Sequence, residues 1–332
     1  MSNRRISFSI SRRNLLLAGA AQVALPGLAL AQSSEAGGKP IRLLVPFAAG
    51  GGADVAARQL AVKFQDVVKQ TVVVENKAGA DGALALQELL RSKADGHTIC
   101  LATSSALSYV PHIRRAPGYT LDDFAPLTSF VTFTFFLMVH ESIPGKNLAE
   151  VLAHVRANPG KYAYGGGNSA SIMATEQLMA NAGVNMIRSP YKGEGQMTTD
   201  LIGGRILMSW ATPAVTPALL KDGRTRPVAV LLPRRSNVMP EVPTISEAGY
   251  PLVDISPWGG FVAAAATPRP VIASLSRDLR QVIANPELVA QCDKYGLLAQ
   301  ASTPEEFGGF LKQQYVAWGN AVKLAKIPME EA

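Results

Sequence analysis

The sequence predicts an α/β fold of two lobes, and three observations support this prediction. Segments with the pattern of strands alternate with segments of helical spacing along most of the chain. Two glycine loops, at residues 50–52 and 165–167, each follow a short strand and precede a helix. Two apolar segments, residues 124–139 and 258–264, are suited to carry the chain from one lobe to the other and back. We therefore expect a ligand cleft between two α/β lobes.

The first 31 residues have the pattern of an export signal. Four arginines and no acidic residue precede an apolar stretch that runs from Leu15 to Leu30. This composition is typical of a signal peptide cleaved near Ala31, so we expect a periplasmic protein. The letters SRRNLL resemble the twin-arginine box, which favours export of the folded protein, with the general secretory route as the alternative.

Charge and cysteine content restrict the class of function. The formal charge is +7, but four of the 32 Lys and Arg precede residue 32, which leaves 28 basic against 25 acidic residues, or +3. This mild excess fits small anions, and no basic stripe with interleaved aromatics indicates nucleic acid. Cys100 and Cys292 are predicted to be unpaired and buried. The four histidines show no metal-ligand spacing, so neither a metal nor a cofactor is expected.

The first lobe, residues 39–131 with 249–332, begins with a strand, a glycine loop and a helix. Gly50, Gly51 and Gly52 permit a tight turn and a close approach of a ligand to main-chain N–H groups. Asp54 is predicted as an N-cap or first-turn residue. Unpaired N–H groups at a helix start favour negative charge, so this stretch is a candidate carboxylate or phosphate site. The same unit also occurs in α/β proteins without a ligand.

The remainder of the first half continues the alternation. Strands are predicted over residues 41–45, 71–75 and 97–102, with helices over 83–91 and 108–115. The third strand delivers Thr103, Ser104 and Ser105 to its carboxyl end. Hydroxyl groups at that place either cap the next helix or bind a ligand anion.

The second lobe, residues 132–248, repeats the arrangement. A capping-box pattern at Asn147 and Glu150 predicts a helix to residue 158, and a strand over 162–164 runs into the second glycine loop. Further predicted elements are a helix over 172–182, a turn around Lys192, a helix to residue 202, and strands over 205–210 and 228–232. Two positive helix ends, one per lobe, would then face one cleft.

The chain then returns to the first lobe. The strand over residues 258–264 is followed by helices to residues 284 and 295. Thr303, Pro304, Glu305 and Glu306 form a cap, proline and acid pattern that starts a final helix to about residue 325.

From Lys39 to Ile327 the chain resembles the Bug or TctC family, the extracytoplasmic solute receptors of tripartite tricarboxylate transporters. The matching stretches are KPIRLLVPFAAGGGADVAAR, VVVENKAGADG, ADGHTICLATSSAL, DDFAPLTSF, NPGKYAYGGGN, PYKGEGQMTTDLIGGR, VPTISEAGY and TPRPVIASLSRDL. The resemblance implies a type II periplasmic-binding-protein fold, in which two α/β lobes joined by crossing strands close over a small carboxylate. It also implies delivery to a two-component membrane permease, with a sensor kinase's outer domain as the alternative partner. We expect a monomer.

The resemblance further implies that main-chain N–H groups and ordered water hold the carboxylate. The ligand-binding residues that the resemblance implies lie around the first glycine loop, at the hydroxyl-rich strand end and in the second glycine loop, with two more nearby: Phe47, Ala49, Gly50, Gly51, Gly52; Thr103, Ser104, Ser105, Ala106; Gly167, Asn168, Ser169, Ala170, Ser171; Tyr191 and Lys192. We add Asp54, Trp210 and Thr212 as further candidate ligand-binding residues. Trp210 is a candidate for an apolar wall of the site, although a core position is the alternative.

The chain departs from the family pattern on the side of the second lobe. Ile172 or Met173 stands where many relatives have a histidine, and Leu207 and Ala211 stand where aspartates are common. These changes predict a more apolar wall. We therefore expect a monocarboxylate, or a ligand with an apolar or aromatic body, rather than a tricarboxylate.

Enzyme functions fit the residues less well. Residues 189–192 match S-x-x-K, but no K-T-G follows. Gly165, Gly167 and Ala170 match a relaxed dinucleotide fingerprint, but Arg188 stands near the place where a ribose-binding acid is needed. An exported NADP-dependent oxidoreductase stays as an alternative. The sequence offers no nucleophile with a base, so we expect a binding protein rather than an enzyme.

Overall fold

A computed structural model describes residues 38–49, 52–191, 193–221, 223–251 and 255–330. The predicted export signal, Gly50, Gly51 and Lys192 lie outside these described residues. Within them, no helix combines the length and the apolar character needed to cross a bilayer. The same residues contain no group of three or more His, Cys, Asp or Glu side chains that could hold a metal ion.

The described residues form eleven strands and ten α-helices. The strands are β1 Ile41–Val45, β2 Val72–Asn76, β3 Thr98–Thr103, β4 Phe124–Phe133, β5 Phe136–His140, β6 Ala163–Gly166, β7 Ile187–Pro190, β8 Met208–Ala211, β9 Thr225–Val230, β10 Trp258–Ala264 and β11 Leu297–Ala299. The helices are α1 Gly52–Val68, α2 Ala83–Arg91, α3 Val110–Ile113, α4 Leu148–Arg156, α5 Ser169–Ala182, α6 Glu194–Ile202, α7 Thr216–Lys221, α8 Arg269–Ile283, α9 Pro286–Lys294 and α10 Pro304–Leu324.

One sheet has six strands in the order β11-β4-β10-β3-β1-β2. β1 lies between β2 and β3 and runs parallel to both, while β10 runs antiparallel to β3 and β4. Successive side chains of a strand point to opposite faces, so the apolar β1 supplies both faces of the sheet. Leu43 packs in the core with α1 and α8, and Leu44 packs in the core with α2 and α10. The apolar run of β1 therefore anchors the glycine loop that follows it.

The other sheet has five strands in the order β7-β6-β8-β5-β9. β6 pairs in parallel with β7 and β8, and β5 pairs antiparallel with β8 and β9. Helices α4 and α5 supply Leu152 and Leu178 to the core on one face, and α6 supplies Met197 and Leu201 to the core on the other. This sheet positions the second glycine loop at the end of β6.

The chain crosses between the sheets at Thr134 and Phe135, since β4 ends at Phe133 and β5 begins at Phe136. The amide of Phe133 donates to the Pro257 carbonyl at 2.7 Å, and the amide of Leu231 donates to the Phe135 carbonyl at 2.8 Å. These bonds tie the outward crossing to the segment that returns to β10. Residues 124–139 therefore carry the chain from the six-stranded sheet to the five-stranded sheet, and the division into two lobes stays a prediction.

Several elements differ from the sequence prediction for local reasons. α5 begins at Ser169 rather than residue 172, because Asn168 caps the helix and the small residues after it are helical. β7 was not predicted, and its last two residues, Ser189 and Pro190, belong to the stretch predicted as a turn. β11 was not predicted either, since it has only three residues. Cys100 and Cys292 are free and buried as predicted, and burial raises the pKa of the Cys292 thiol to about 11.

Candidate ligand site

A cavity of about 340 Å³ lies where the two sheets meet. Its lining comes from Phe47 after β1, the end of β3, the crossing segment, the starts of α5 and α6, the links that follow β8 and α9, and Pro257 before β10. The lining residues are Phe47, Thr103, Ser104, Ser105, Phe133, Thr134, Phe135, Asn168, Ala170, Glu194, Thr212, Pro213, Ala214, Pro257, Tyr295, Gly296 and Leu297. Its volume lies in the range of small-molecule sites in proteins.

Asn76, at the end of β2, links the described residues on either side of the first glycines, Phe47 and Asp54. Its side-chain amide donates to the Phe47 carbonyl at 3.0 Å and to Asp54 Oδ1 at 2.7 Å. Asp54 is 2% exposed, and its Oδ2 accepts a hydrogen bond from Arg58 Nε at 3.0 Å. These contacts place Asp54 within the support of the loop rather than on the cavity wall. Ala49 is exposed on the loop and does not line the cavity.

The residues at the end of β3 form part of the cavity wall. Thr103 and Ser104 are each 3% exposed, and residues Ser105–Tyr109 form a single π-helical turn. Such turns are frequent at functional sites, because the extra residue redirects neighbouring side chains. Thr103 Oγ1 accepts a hydrogen bond from the Ala106 amide at 3.4 Å. Ala106, within this turn, is buried in the core and does not line the cavity.

The second glycine loop leads into a capped helix start. Asn168 Oδ1 accepts a hydrogen bond from the Ser171 amide at 2.9 Å, and Ser171 Oγ accepts one from the Asn168 amide at 3.3 Å. The first four N–H groups of a helix have no partner within it. Because the cap takes the Ser171 amide, Ser169 and Ala170 carry the main-chain donors that this helix end can offer an anion. Ser171 itself is buried and serves the cap.

Ser105 and Ser169 join the two sides of the site. Their hydroxyl oxygens lie 2.8 Å apart, a hydrogen-bond distance. Ser105 follows β3 of the six-stranded sheet, and Ser169 begins the helix after β6 of the five-stranded sheet. The structure therefore brings the hydroxyl-rich strand end and the second glycine loop into direct contact.

Glu194 is a site residue that the sequence did not reveal. It is the first residue of α6, and it lies close to the second glycine loop, because a Cβ on Gly167 would be only 2.5 Å from Glu194 Cγ. Its Oε1 accepts from the Thr212 amide at 3.1 Å and its Oε2 from Thr212 Oγ1 at 2.6 Å. Burial raises the pKa of Glu194 above its usual range, against the lowering effect of these two hydrogen bonds.

Four other residues of the expected set, Gly167, Ser169, Tyr191 and Trp210, are absent from the cavity lining. Trp210 is fully buried in the core with α5, so the structure gives it the core position rather than the wall position. The Tyr191 ring packs over Gly165, and its hydroxyl donates to Asp200 Oδ2 at 2.9 Å. Burial together with this hydrogen bond raises the pKa of Tyr191 to about 12.

The apolar wall comes from different residues than the sequence suggested. Met173 and Ala211 are fully buried in the cores of the second sheet, and Ile172 and Leu207 pack against one of these cores. None of these four residues lines the cavity. The apolar lining is contributed instead by the crossing segment and the links around it, chiefly Phe133, Phe135, Pro213, Pro257 and Leu297. The cavity thus has an apolar wall, but residues other than the predicted ones form it.

Sequence reasoning missed the lining residues of the crossing segment. Phe133, Thr134 and Phe135 lie between β4 and β5, and an apolar segment of this kind does not show which of its residues face a cleft. Glu194 had a weak signal, an acid directly after the glycine of a turn and at a helix start.

The chain is similar to known proteins over most of its length. Residues 56–326 match the family model described as "Tripartite tricarboxylate transporter family receptor". Protein BugT of Bordetella pertussis is 32% identical over 311 residues, which cover 91% of this chain and 94% of BugT.

Two solved structures are also similar. One, described as a periplasmic transporter, has 31% identity and a TM-score of 0.75, and the match covers 88% of this chain and 99% of that chain. The other, R. palustris Rpa4515 with adipate, has 26% identity and a TM-score of 0.75, over 88% of this chain and 98% of that chain. The two-sheet fold, the match over most of the chain and these relatives lead to one conclusion: the chain belongs to the TctC family of solute-binding receptors.

Proposed function

We propose that this protein is exported to the periplasm, captures a small carboxylate in the cavity between its two sheets, and delivers it to a tripartite tricarboxylate-type membrane permease. The observation that carries the proposal is the meeting of two ligand-binding features in one cavity. The hydroxyl-rich end of β3 and the start of α5 supply polar groups, and aromatic and proline side chains supply an apolar surface.

The helix starts are suited to bind the carboxylate of the ligand. α1 begins at Gly52 and α5 begins at Ser169, and each follows a strand and a loop. The partial positive charge of a helix start favours an anion. The adipate of the R. palustris relative supports a carboxylate as the class of ligand.

The apolar lining selects the body of the ligand. Phe133, Phe135 and Leu297 offer surface to a hydrocarbon or an aromatic ring, and Glu194 adds a carboxylate that would repel a further negative charge. We therefore favour a monocarboxylate with an apolar body over a tricarboxylate such as citrate.

Ligand contact with both sides would favour a closed arrangement. The hydroxyls of Ser105 and Ser169, from the two sides of the site, lie at a hydrogen-bond distance from each other. A ligand that touches both glycine loops would bind this arrangement more tightly than an open one, and by doing so it would shift the population towards it. The permease can then distinguish the occupied receptor from the empty one.

A thermal-shift series with the purified protein tests this proposal. A ligand that binds only the folded state stabilises it by about 2.7 kcal/mol at a concentration 100-fold above its Kd. We expect isocaproate or hydrocinnamate, or their amino-substituted forms, to raise the Tm more than citrate does. A larger shift with citrate would contradict the choice of ligand. A flat response to every carboxylate, with a shift on adding NADPH, would favour the oxidoreductase alternative.

A further inference from the structure

The charge of the cavity lining is unbalanced. Of the lining residues that the structure describes, Glu194 is the one carboxylate, and lysine, arginine and histidine are absent from this set. An ionised carboxylate in the wall weakens the binding of a ligand that is only an anion, because like charges repel in a partly desolvated site. The residue therefore requires an explanation beyond carboxylate capture.

The position of Glu194 is fixed from two sides. Thr212 donates to one carboxylate oxygen through its amide at 3.1 Å and to the other through its hydroxyl at 2.6 Å. The backbone of Glu194 also lies against Gly167, where a Cβ would be 2.7 Å from the Glu194 amide nitrogen. The residue is thus held against the second glycine loop by its backbone and Cγ, and its carboxylate is held by the link after β8.

The acceptor capacity of this carboxylate exceeds what Thr212 uses. An ionised carboxylate has about four lone-pair sites on its two oxygens, and Thr212 occupies two of them. Because both oxygens accept from donors, the arrangement suits the ionised form. Burial acts against that form by raising the pKa of Glu194. A cationic or strongly donating group from the ligand would complete the hydrogen bonds and remove this penalty.

We infer that the ligand carries a protonated amine as well as its carboxylate, and that Glu194 pairs with this ammonium group as a specificity-determining residue. The inference rests on the proposed function and narrows it to amino acids with an apolar body. The ligand carboxylate lies at the helix starts, the ammonium group against Glu194, and the hydrocarbon body against Phe133 and Phe135. A second carboxylate directed at Glu194 is rejected by repulsion.

Matched ligand pairs test this inference by titration calorimetry. L-phenylalanine is compared with hydrocinnamate and L-leucine with isocaproate, since each pair differs only in the α-amino group. A third pair, ε-aminocaproate and caproate, places the amine at the far end and identifies its position. We expect the amino member of at least one pair to bind about tenfold more tightly or better, which corresponds to about 1.4 kcal/mol.

The variant Glu194→Gln identifies the residue responsible. The amide keeps the size of the side chain and a hydrogen bond to Thr212 but loses the charge, so the preference for the amino member should fall to about twofold or less. Glu176→Gln is the matched control, because Glu176 accepts a hydrogen bond from the Tyr164 hydroxyl outside the cavity lining, and its loss should leave the preference intact. Thermal unfolding without ligand confirms that both variants are folded.

The possible results distinguish a failure of the Glu194 inference from a failure of the proposed function. Equal affinity within every pair, or an amino preference that survives in Glu194→Gln, overturns the role of Glu194 while carboxylate binding stands. Tighter binding of the plain acids would do the same. A protein that binds no member of any pair, and none of the other carboxylates, refutes the proposed function itself.

Discussion

Replacing Gly167 by alanine is expected to abolish high-affinity carboxylate binding. The added Cβ would lie 2.5 Å from Glu194 Cγ and 2.7 Å from its Cα, and backbone atoms cannot give way as a flexible side-chain end can. The second glycine loop and the start of α6 must therefore separate, which displaces the donors of Ser169 and Ala170. We expect a loss of about 1–3 kcal/mol in the free energy of unfolding, and a rise in Kd of at least about 100-fold.

Gly195→Ala provides the matched control for this variant. Gly195 lies next to Glu194 in the first turn of α6, is exposed, and has no atom within 4 Å of an added Cβ. Alanine is favoured over glycine in a helix, so the control should be unchanged or slightly more stable. Denaturant unfolding and calorimetry measure both variants. If Gly167→Ala binds ligand as tightly as the control, the second glycine loop does not form part of the site.

Replacing Gly296 by alanine is expected to hold the two sides of the cleft apart. A Cβ on Gly296 would lie 2.2 Å from Cγ of Pro213, and the two residues follow α9 on one side and β8 on the other. Gly296 also has a φ of +64°, a left-handed conformation that costs alanine roughly 1 kcal/mol. We expect weaker ligand binding by at least about tenfold, together with a larger radius of gyration in small-angle X-ray scattering.

The cost of the backbone conformation can be separated from that of the contact. Gly223 has a similar φ of +68°, but an added Cβ there would meet no atom within 4 Å. Gly223→Ala should therefore show only the stability cost of the left-handed conformation and bind ligand normally. Equal ligand affinity in the two variants would mean that the approach of Pro213 to Gly296 is not needed for binding.

The sequence predicts the fold well where one pattern determines the local structure. The apolar strand at Ile41–Val45, the helix at Ala83–Arg91 and the crossing strand at Trp258–Ala264 have the predicted bounds. In each of these, apolar periodicity and the flanking glycine or proline residues favour the same element. The α5 helix starts earlier than expected, because the cap at Asn168 depends on a side-chain hydrogen bond that hydrophobic spacing does not record.

The site is predicted in part, for a physical reason. Phe47, Thr103, Ser104, Ser105, Asn168, Ala170 and Thr212 belong to the expected set and line the cavity. The crossing residues Phe133, Thr134 and Phe135 were absent from that set, since an apolar crossing segment gives no indication of which residues face a cleft. The same limit explains Trp210, because the side of a strand that faces the cavity depends on the packing of α5.

A crystal structure of the protein with a saturating carboxylate from the thermal-shift series shows directly where the ligand binds. We expect the ligand in the 340 Å³ cavity, with its carboxylate at the main-chain amides of a helix start and its apolar body against Phe133 and Phe135. A carboxylate bound elsewhere on the molecule, with this cavity unoccupied, would show that the cavity is not the ligand site.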